Sequence, residues 1–262
     1  MTMKNLRKYG DAPYKVVVIH GGPGAPGEMA PVSEELSSNC GILEPLQTKG
    51  SIEGQIEELK SLLDDNSSIP VTFIGWSWGA WLAFIFTAKY PKYVKKLILV
   101  GSGPFEESYA KDIMKTRLSR LTEDEKKKLN SLMELLNKSS SKNKEILMKD
   151  FGELMSKADS YQEIPHDDSV LEFQLDIYQK VWSEASELRK SGKLLDYAKV
   201  IKCPVVAIHG DYDPHPFEGV KIPLSNNNED FKFHLLNNCG HHPWYEKLAK
   251  EKFYEILKSE IK

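Results

Sequence analysis

Apolar residues arrive in two rhythms along this chain. Over the first hundred positions, short β-branched runs alternate with longer stretches in which apolar residues recur every three or four positions. That alternation predicts a parallel sheet covered by helices. Val16 to Ile19 is an uninterrupted apolar run ending at His20-Gly21-Gly22-Pro23-Gly24, as a strand buried on both faces ends in a tight loop. Gly41 to Leu46 is a weaker strand candidate. Within Ser51 to Leu63, Ile52, Ile56, Leu59 and Leu63 fall at helical spacing. Pro70 to Ile74 predicts a third strand, Trp78 to Lys89 a helix, and Val94 to Val100 a fourth strand.

From Phe105 to about Val200 only the helical rhythm persists. Thr122 and Glu125 have capping-box spacing ahead of Leu129, Leu132, Met133 and Leu136, which share one helical face. Leu147, Phe151, Leu154 and Met155 repeat the pattern, and the polar run Asn137 to Asn143 between them predicts a mobile loop. A further helix is expected from near Asp168, with Val170, Phe173, Ile177 and Val181 on one stripe. Sheet periodicity returns at Cys203 to Ile208 and Phe231 to Leu236, and Trp244 to Leu257 predicts the closing helix. The expectation is an α/β fold with a mostly parallel central sheet flanked by helices. Its core would comprise residues 1–104 and 201–262, with residues 105–200 an inserted, all-helical cap.

Composition narrows the function classes. With 262 residues, 40% apolar and 28% charged, the chain reads as an ordinary globular protein rather than a disordered or collagenous one. A net charge of −3 provides no global field for a polyanion or an anionic bilayer, so neither nucleic acid nor membrane is an expected partner. The most apolar stretch, Ala80 to Phe86, is far shorter than the ~20 residues that span a bilayer. Lys4, Arg7, Lys8 and Asp11 near the start, with no apolar segment behind them, predict no secretory signal and a cytoplasmic location. Cys40, Cys203 and Cys239 are too few and too scattered for a disulfide framework or a zinc site, and no metal or other cofactor is expected.

The sharpest chemical signal is Gly75-Trp76-Ser77-Trp78-Gly79, placed between a predicted strand and a predicted helix. In that context a strained turn lifts the serine hydroxyl clear of the backbone, and the glycines remove β-carbons where strand and helix crowd it. A serine attacks only when a base takes its proton, so Ser77 needs a histidine, and the histidine needs a carboxylate to fix its tautomer. His241 and His242 both lie in the loop after the last predicted strand, and periodicity does not separate them. Two acids follow the strand ending at His209: Asp213 is the preferred orienting residue, and Asp211 is assigned to the turn as an Asx-type residue. A developing oxyanion needs two backbone donors. The amide of Trp78 is one, and the unhindered amide of Gly22 is the other, with Gly21 as fallback. The glycine loop lacks the lysine of a phosphate-binding loop.

Taken together, H-G-G-P-G, G-W-S-W-G, H-G-D-Y-D-P and G-H-H-P-W resemble the α/β-hydrolase superfamily over essentially the full chain. The glycine loop and the tryptophan after Ser77 look like the proline iminopeptidase branch. The resemblance implies Ser77 as nucleophile, Asp213 as acid, His241 rather than His242 as base, and Gly22 and Trp78 as oxyanion donors. It implies a serine hydrolase acting on a small ester or amide, with a small molecule or short peptide as substrate. The narrower branch implies release of an N-terminal residue whose amine is held by a tryptophan–glutamate pair in the cap; this chain departs from it there, with Trp182 followed by Ser183 and then Glu184 and no recognisable pair of that kind. A receptor that binds its ligand under the cap without turnover is the alternative of another class.

Overall fold

The computed structural model describes residues 5–138, 141–166 and 174–262. In chain order it forms β1 (Leu6–Tyr9), β2 (Tyr14–Ile19), α1 (Ala30–Ser37), β3 (Gly41–Pro45), α2 (Ile52–Asn66), β4 (Val71–Trp76), α3 (Trp78–Lys89) and β5 (Val94–Val100). Five helices follow: α4 (Ile113–Ser119), α5 (Glu123–Lys138), α6 (Ser141–Asp159), α7 (Leu175–Lys190) and the single turn α8 (Lys193–Asp196). The chain then completes the core with β6 (Val205–Gly210), α9 (Glu218–Asn227), β7 (Phe231–Leu236) and α10 (Lys250–Glu260).

The seven strands make one sheet in the order β1-β3-β2-β4-β5-β6-β7. Only β1 runs antiparallel, with Leu6 opposite Pro45 and Tyr9 opposite Ile42; the other neighbours are parallel. A parallel strand covered on both faces must send apolar side chains both ways, which is why β2, β4 and β6 read as continuous apolar runs. Alternate residues serve different cores. Val17, Ile19, Phe73, Leu97 and Leu99 pack with Ile56 and Leu59 of α2 and with the apolar run from Ala80 to Phe86 in α3. Val16, Val18, Ile74, Ile98 and Ile208 pack on the opposite side with Val32 and Leu36 of α1 and Phe253 and Leu257 of α10.

The α5–α6 pair has an apolar centre of its own, built from Leu121, Leu129, Leu132, Leu154, Met155 and Ala158. Its capping box forms: Thr122 N donates to Glu125 Oε2 at 2.9 Å, and Glu125 N donates to Thr122 Oγ1 at 3.3 Å. Met133 leaves the expected apolar face and is exposed.

Three details depart from the pattern reading, and one expectation lies partly outside the described residues. α1 and α9 carry weak patterns, and α9 holds Pro223 in its interior. The closing helix begins at Lys250 rather than near Trp244, because Pro243–Tyr245 close a 3₁₀ turn and Glu246 leaves helical geometry. Helices α5 and α6 extend through most of the polar run from Asn137 to Asn143, leaving only residues 139 and 140 outside the described residues. Helix α7 is described from Leu175; Asp168, Val170 and Phe173 lie outside the described residues. Among the described residues no helix is long and apolar enough to cross a membrane.

Candidate active site

β4, β6 and β7 each end at the same rim of the sheet, and the loop that follows each carries one chemically capable side chain. Ser77 sits between β4 and α3 with φ +53° and ψ −119°, a conformation that L-residues seldom adopt. Its amide donates to Val100 O at 3.0 Å, which ties the turn to β5. Sterics explain the flanking glycines. A β-carbon on Gly75 would lie 2.3 Å from Gly79 O, and one on Gly79 would lie 2.4 Å from His20 O.

The structure brings Ser77, His241 and Asp213 together. His241 Nε2 is 3.1 Å from Ser77 Oγ, and His241 Nδ1 is 2.7 Å from Asp213 Oδ2. Asp213 accepts only, so Nδ1 carries the proton and Nε2 presents its lone pair to the serine. His242 is not in this chain of bonds; its ring packs on Trp76 with centroids 4.6 Å apart.

Asp213 also differs from its neighbour in the way expected of an orienting acid, though the turn roles are exchanged. Asp213 itself makes the Asx-type bond, Oδ1 accepting the amide of His215 at 2.9 Å. Asp211 instead reaches across to the histidine loop and accepts Cys239 N at 3.2 Å. The wrong assignment of the Asx role is physical in origin: both aspartates follow the strand end closely, and only their side-chain directions distinguish them.

Three imidazoles surround the Asp213 carboxylate: His241, His215 through Nδ1 at 2.8 Å, and His209 at 3.4 Å. Burial opposes its charge, yet these neighbours and the His215 hydrogen bond hold its carboxyl well below the usual range. His215 was not singled out by sequence; its place two residues after Asp213 is the signal that identifies it. Among the described residues, Asp213, His215 and His241 also form the one group whose possible metal-ligand atoms lie within 4.8 Å of each other. They come from two loops, so no short motif announces them.

The glycine loop lies against the serine. A β-carbon on Gly21 would stand 2.4 Å from the Trp76 ring and 3.1 Å from Ser77 Cβ. His20 Nδ1 is 2.9 Å from Gly21 O and must donate to it, since a carbonyl only accepts. Trp78 opens α3, so its amide is one of the unpaired N–H groups at a helix start. Gln47, just past β3, links the two regions: Nε2 donates to His20 O and Oε1 accepts Trp78 Nε1–H, both at 2.8 Å. No sequence pattern marks Gln47.

The histidine loop is fastened to the helical insertion. His241 N donates to Asp159 O at 2.9 Å, and the Asp159 carboxylate receives both Nε and Nη2 of Arg117 at 2.6 Å. Trp76 Nε1 holds His241 O at 2.8 Å from the core side. Glu246, 1% exposed, accepts Gly240 N at 2.8 Å and the amides of Tyr161 and Gln162 at 2.7 Å each. Elsewhere on the insertion, Gln174 N donates to Gly24 O at 2.7 Å. Replacing Glu246 with alanine strands the buried Gly240 amide and removes the two bonds to the amides of Tyr161 and Gln162. The expected loss is about 2–3 kcal/mol of unfolding free energy, read by urea denaturation; a loss under about 1 kcal/mol contradicts this account.

Two buried histidines, His20 and His209, and two half-buried ones, His215 and His242, are expected to make the molecule acid-sensitive. Burial lowers His20 and His215 to about 4, and it also lowers His209 and, more strongly, His242. The unfolded chain therefore binds protons from about pH 6.5 downward while the folded chain does not. Stability falls with falling pH across that window, by about 1.4 kcal/mol per pH unit for each histidine titrating only in the unfolded state. Urea unfolding at pH 7 and pH 5 checks this, and equal stabilities at the two values would refute it.

A family model described as alpha/beta hydrolase fold matches residues 14–248. No curated protein matches the chain in sequence. Solved structures share its fold at low identity. VinJ superposes with a TM-score of 0.66 at 18% identity, covering 98% of this chain and 93% of that one. A carboxylesterase study of Nitrososphaera gargenis contributes a structure with TM-score 0.61, 18% identity, and coverage of 99% and 96%. The monoacylglycerol lipase of Paleococcus ferrophilus gives 0.64, 14% identity, and coverage of 98% and 97%.

Proposed function

The chain belongs to the alpha/beta hydrolase fold family, and from that premise we propose that it is a serine hydrolase cleaving a small ester or amide through an acyl-enzyme on Ser77. The observation that carries this reading is the connected relay, 3.1 Å from Ser77 Oγ to His241 Nε2 and 2.7 Å from His241 Nδ1 to Asp213. Ser77 Oγ attacks the carbonyl carbon as His241 Nε2 takes its proton. The resulting imidazolium lies against the Asp213 carboxylate, whose charge is preserved at neutral pH. The carbonyl oxygen, now anionic, is bound by the amides of Trp78 and Gly22, and the positive end of α3 adds to that stabilisation.

Collapse of the tetrahedral intermediate breaks the bond to the leaving group, which departs with the proton from His241 Nε2. Water then gives a proton to the same nitrogen while its oxygen attacks the acyl carbon, and Ser77 Oγ leaves with that proton restored. The acid product and the free enzyme result. Residues 105–200 roof the pocket in this reading and set what enters it. For the N-terminal-residue peptidase, the glutamate near Trp182 is already engaged: Glu184 Oε2 accepts Ile52 N at 2.8 Å and caps α2. Trp182 stacks on Trp81, with ring centroids 6.0 Å apart. Neither feature favours that branch.

A fluorophosphonate probe tests the reading. It bonds covalently only to an activated serine, so the expected result is a single adduct on Ser77, absent from Ser77→Ala. An unlabelled wild-type protein would instead indicate a receptor that keeps the geometry without the chemistry. Substrate class is then read from a panel of small esters, thioesters and aminoacyl-anilides.

A further inference from the structure

Gln47 is 3% exposed and adopts φ +51°, in the left-handed region. A non-glycine residue stays there only where its surroundings dictate the conformation, and such strain gathers at functional sites. Both ends of its carboxamide are engaged, and the partners are specific. Nε2 donates to the carbonyl of His20, the residue that opens the glycine loop; Oε1 accepts the indole N–H of Trp78, the residue that follows Ser77.

Peptide planarity turns these bonds into an aiming device. In a trans peptide the C=O and N–H point in opposite directions, so holding one fixes the other. The His20 ring donates to Gly21 O, which turns the Gly22 N–H of the same peptide away from that ring. Gln47 holds the preceding peptide by His20 O, an oxygen so close to Gly79 that a β-carbon there would lie 2.4 Å from it. Its second bond anchors the indole of Trp78, the residue whose amide is the other proposed donor.

From this geometry we infer that Gln47 is a positioning residue that keeps the amides of Gly22 and Trp78 in register for the oxyanion. The inference rests on the serine-hydrolase reading above. It assigns Gln47 no contact with substrate: its effect passes through two backbone donors and therefore falls on the transition state.

Gln47→Met keeps length and shape while deleting both hydrogen bonds, and a small cavity beside the residue, lined by Ile19, Leu59 and Leu82 together with Gln55 and Glu58, gives the new side chain room. With thermal melting confirming a folded variant, kcat on a p-nitrophenyl ester is expected to fall about 10- to 100-fold with KM unchanged. Affinity for phenylboronic acid, which forms a tetrahedral adduct on an activated serine, should fall by the same factor. A purely structural role would lower the melting temperature without this selective loss. A kcat within about threefold of wild type, or a change confined to KM, overturns the inference.

If Gln47→Met does not fold, Gln47→Glu keeps the size and the acceptor for Trp78 but, when ionised, has no proton for His20 O. Its kcat relative to wild type should recover as pH falls and the carboxyl regains its O–H; a ratio flat with pH overturns the inference. The two levels fail differently. A wild-type protein inert to the fluorophosphonate refutes the hydrolase reading, whereas wild type and Gln47→Met labelled at equal rates refute only the role of Gln47.

Discussion

Replacing Ser77 with alanine is expected to lower kcat on an activated ester by about 10⁶-fold while leaving the fold intact. The substitution removes one oxygen and nothing else. Alanine keeps the β-carbon, so the strained turn at φ +53° and the packing of Gly75 against Gly79 are unchanged. The residual rate comes from the oxyanion donors and from binding, which together give about 10³–10⁴-fold over water in sites of this kind. Initial rates on a p-nitrophenyl ester, with thermal melting in parallel, measure both quantities. Retention of more than about one-hundredth of wild-type kcat would remove Ser77 from the mechanism.

Asp213→Asn is expected to cost about 10⁴-fold in kcat, and the surroundings of the carboxylate explain why. Oδ1 faces two donors, the backbone amide and the ring Nδ1 of His215, at 2.9 and 2.8 Å. An asparagine must therefore place its carbonyl oxygen at that position, which leaves its NH₂ against His241 Nδ1. A donor there forces the His241 proton onto Nε2, the nitrogen 3.1 Å from Ser77 Oγ. A base with its lone pair turned away takes no proton. The loss should fall on kcat with normal melting behaviour, and an asparagine variant keeping a tenth or so of wild-type kcat would show that the tautomer is fixed by other means.

How far sequence reasoning reached depends on what each feature leaves in the pattern. β2, β4, β5 and β6 were legible because burial on a sheet demands β-branched and apolar runs, β7 because Phe231 and Phe233 alternate with polar residues at a sheet edge, and the capping box at Thr122 and Glu125 was legible because one hydrogen-bond pair defines it. Ser77 and its two glycines were legible because a crowded turn tolerates few residue types there. The α10 start was misplaced because Trp244 and Phe253 belong to one apolar cluster although they sit in a turn and a helix. Gln47, Asp159 and Glu246 left no trace. Each acts through hydrogen bonds to distant backbone, His20 O and the amides of His241 and Gly240 among them, and backbone partners impose no pattern on the residues that contribute them.

The fastening of residues 159–162 to the histidine loop divides the helical insertion into parts with different freedom to change. Asp159 holds the His241 amide, and Tyr161 and Gln162 share the carboxylate that holds Gly240. Lifting that strip would loosen the loop that carries His241, so in the proposed hydrolase substrate would have to pass elsewhere. By contrast, the α5–α6 hairpin is filled by its own leucines. An engineer seeking new selectivity would graft or reshape that hairpin and leave the strip beside it untouched.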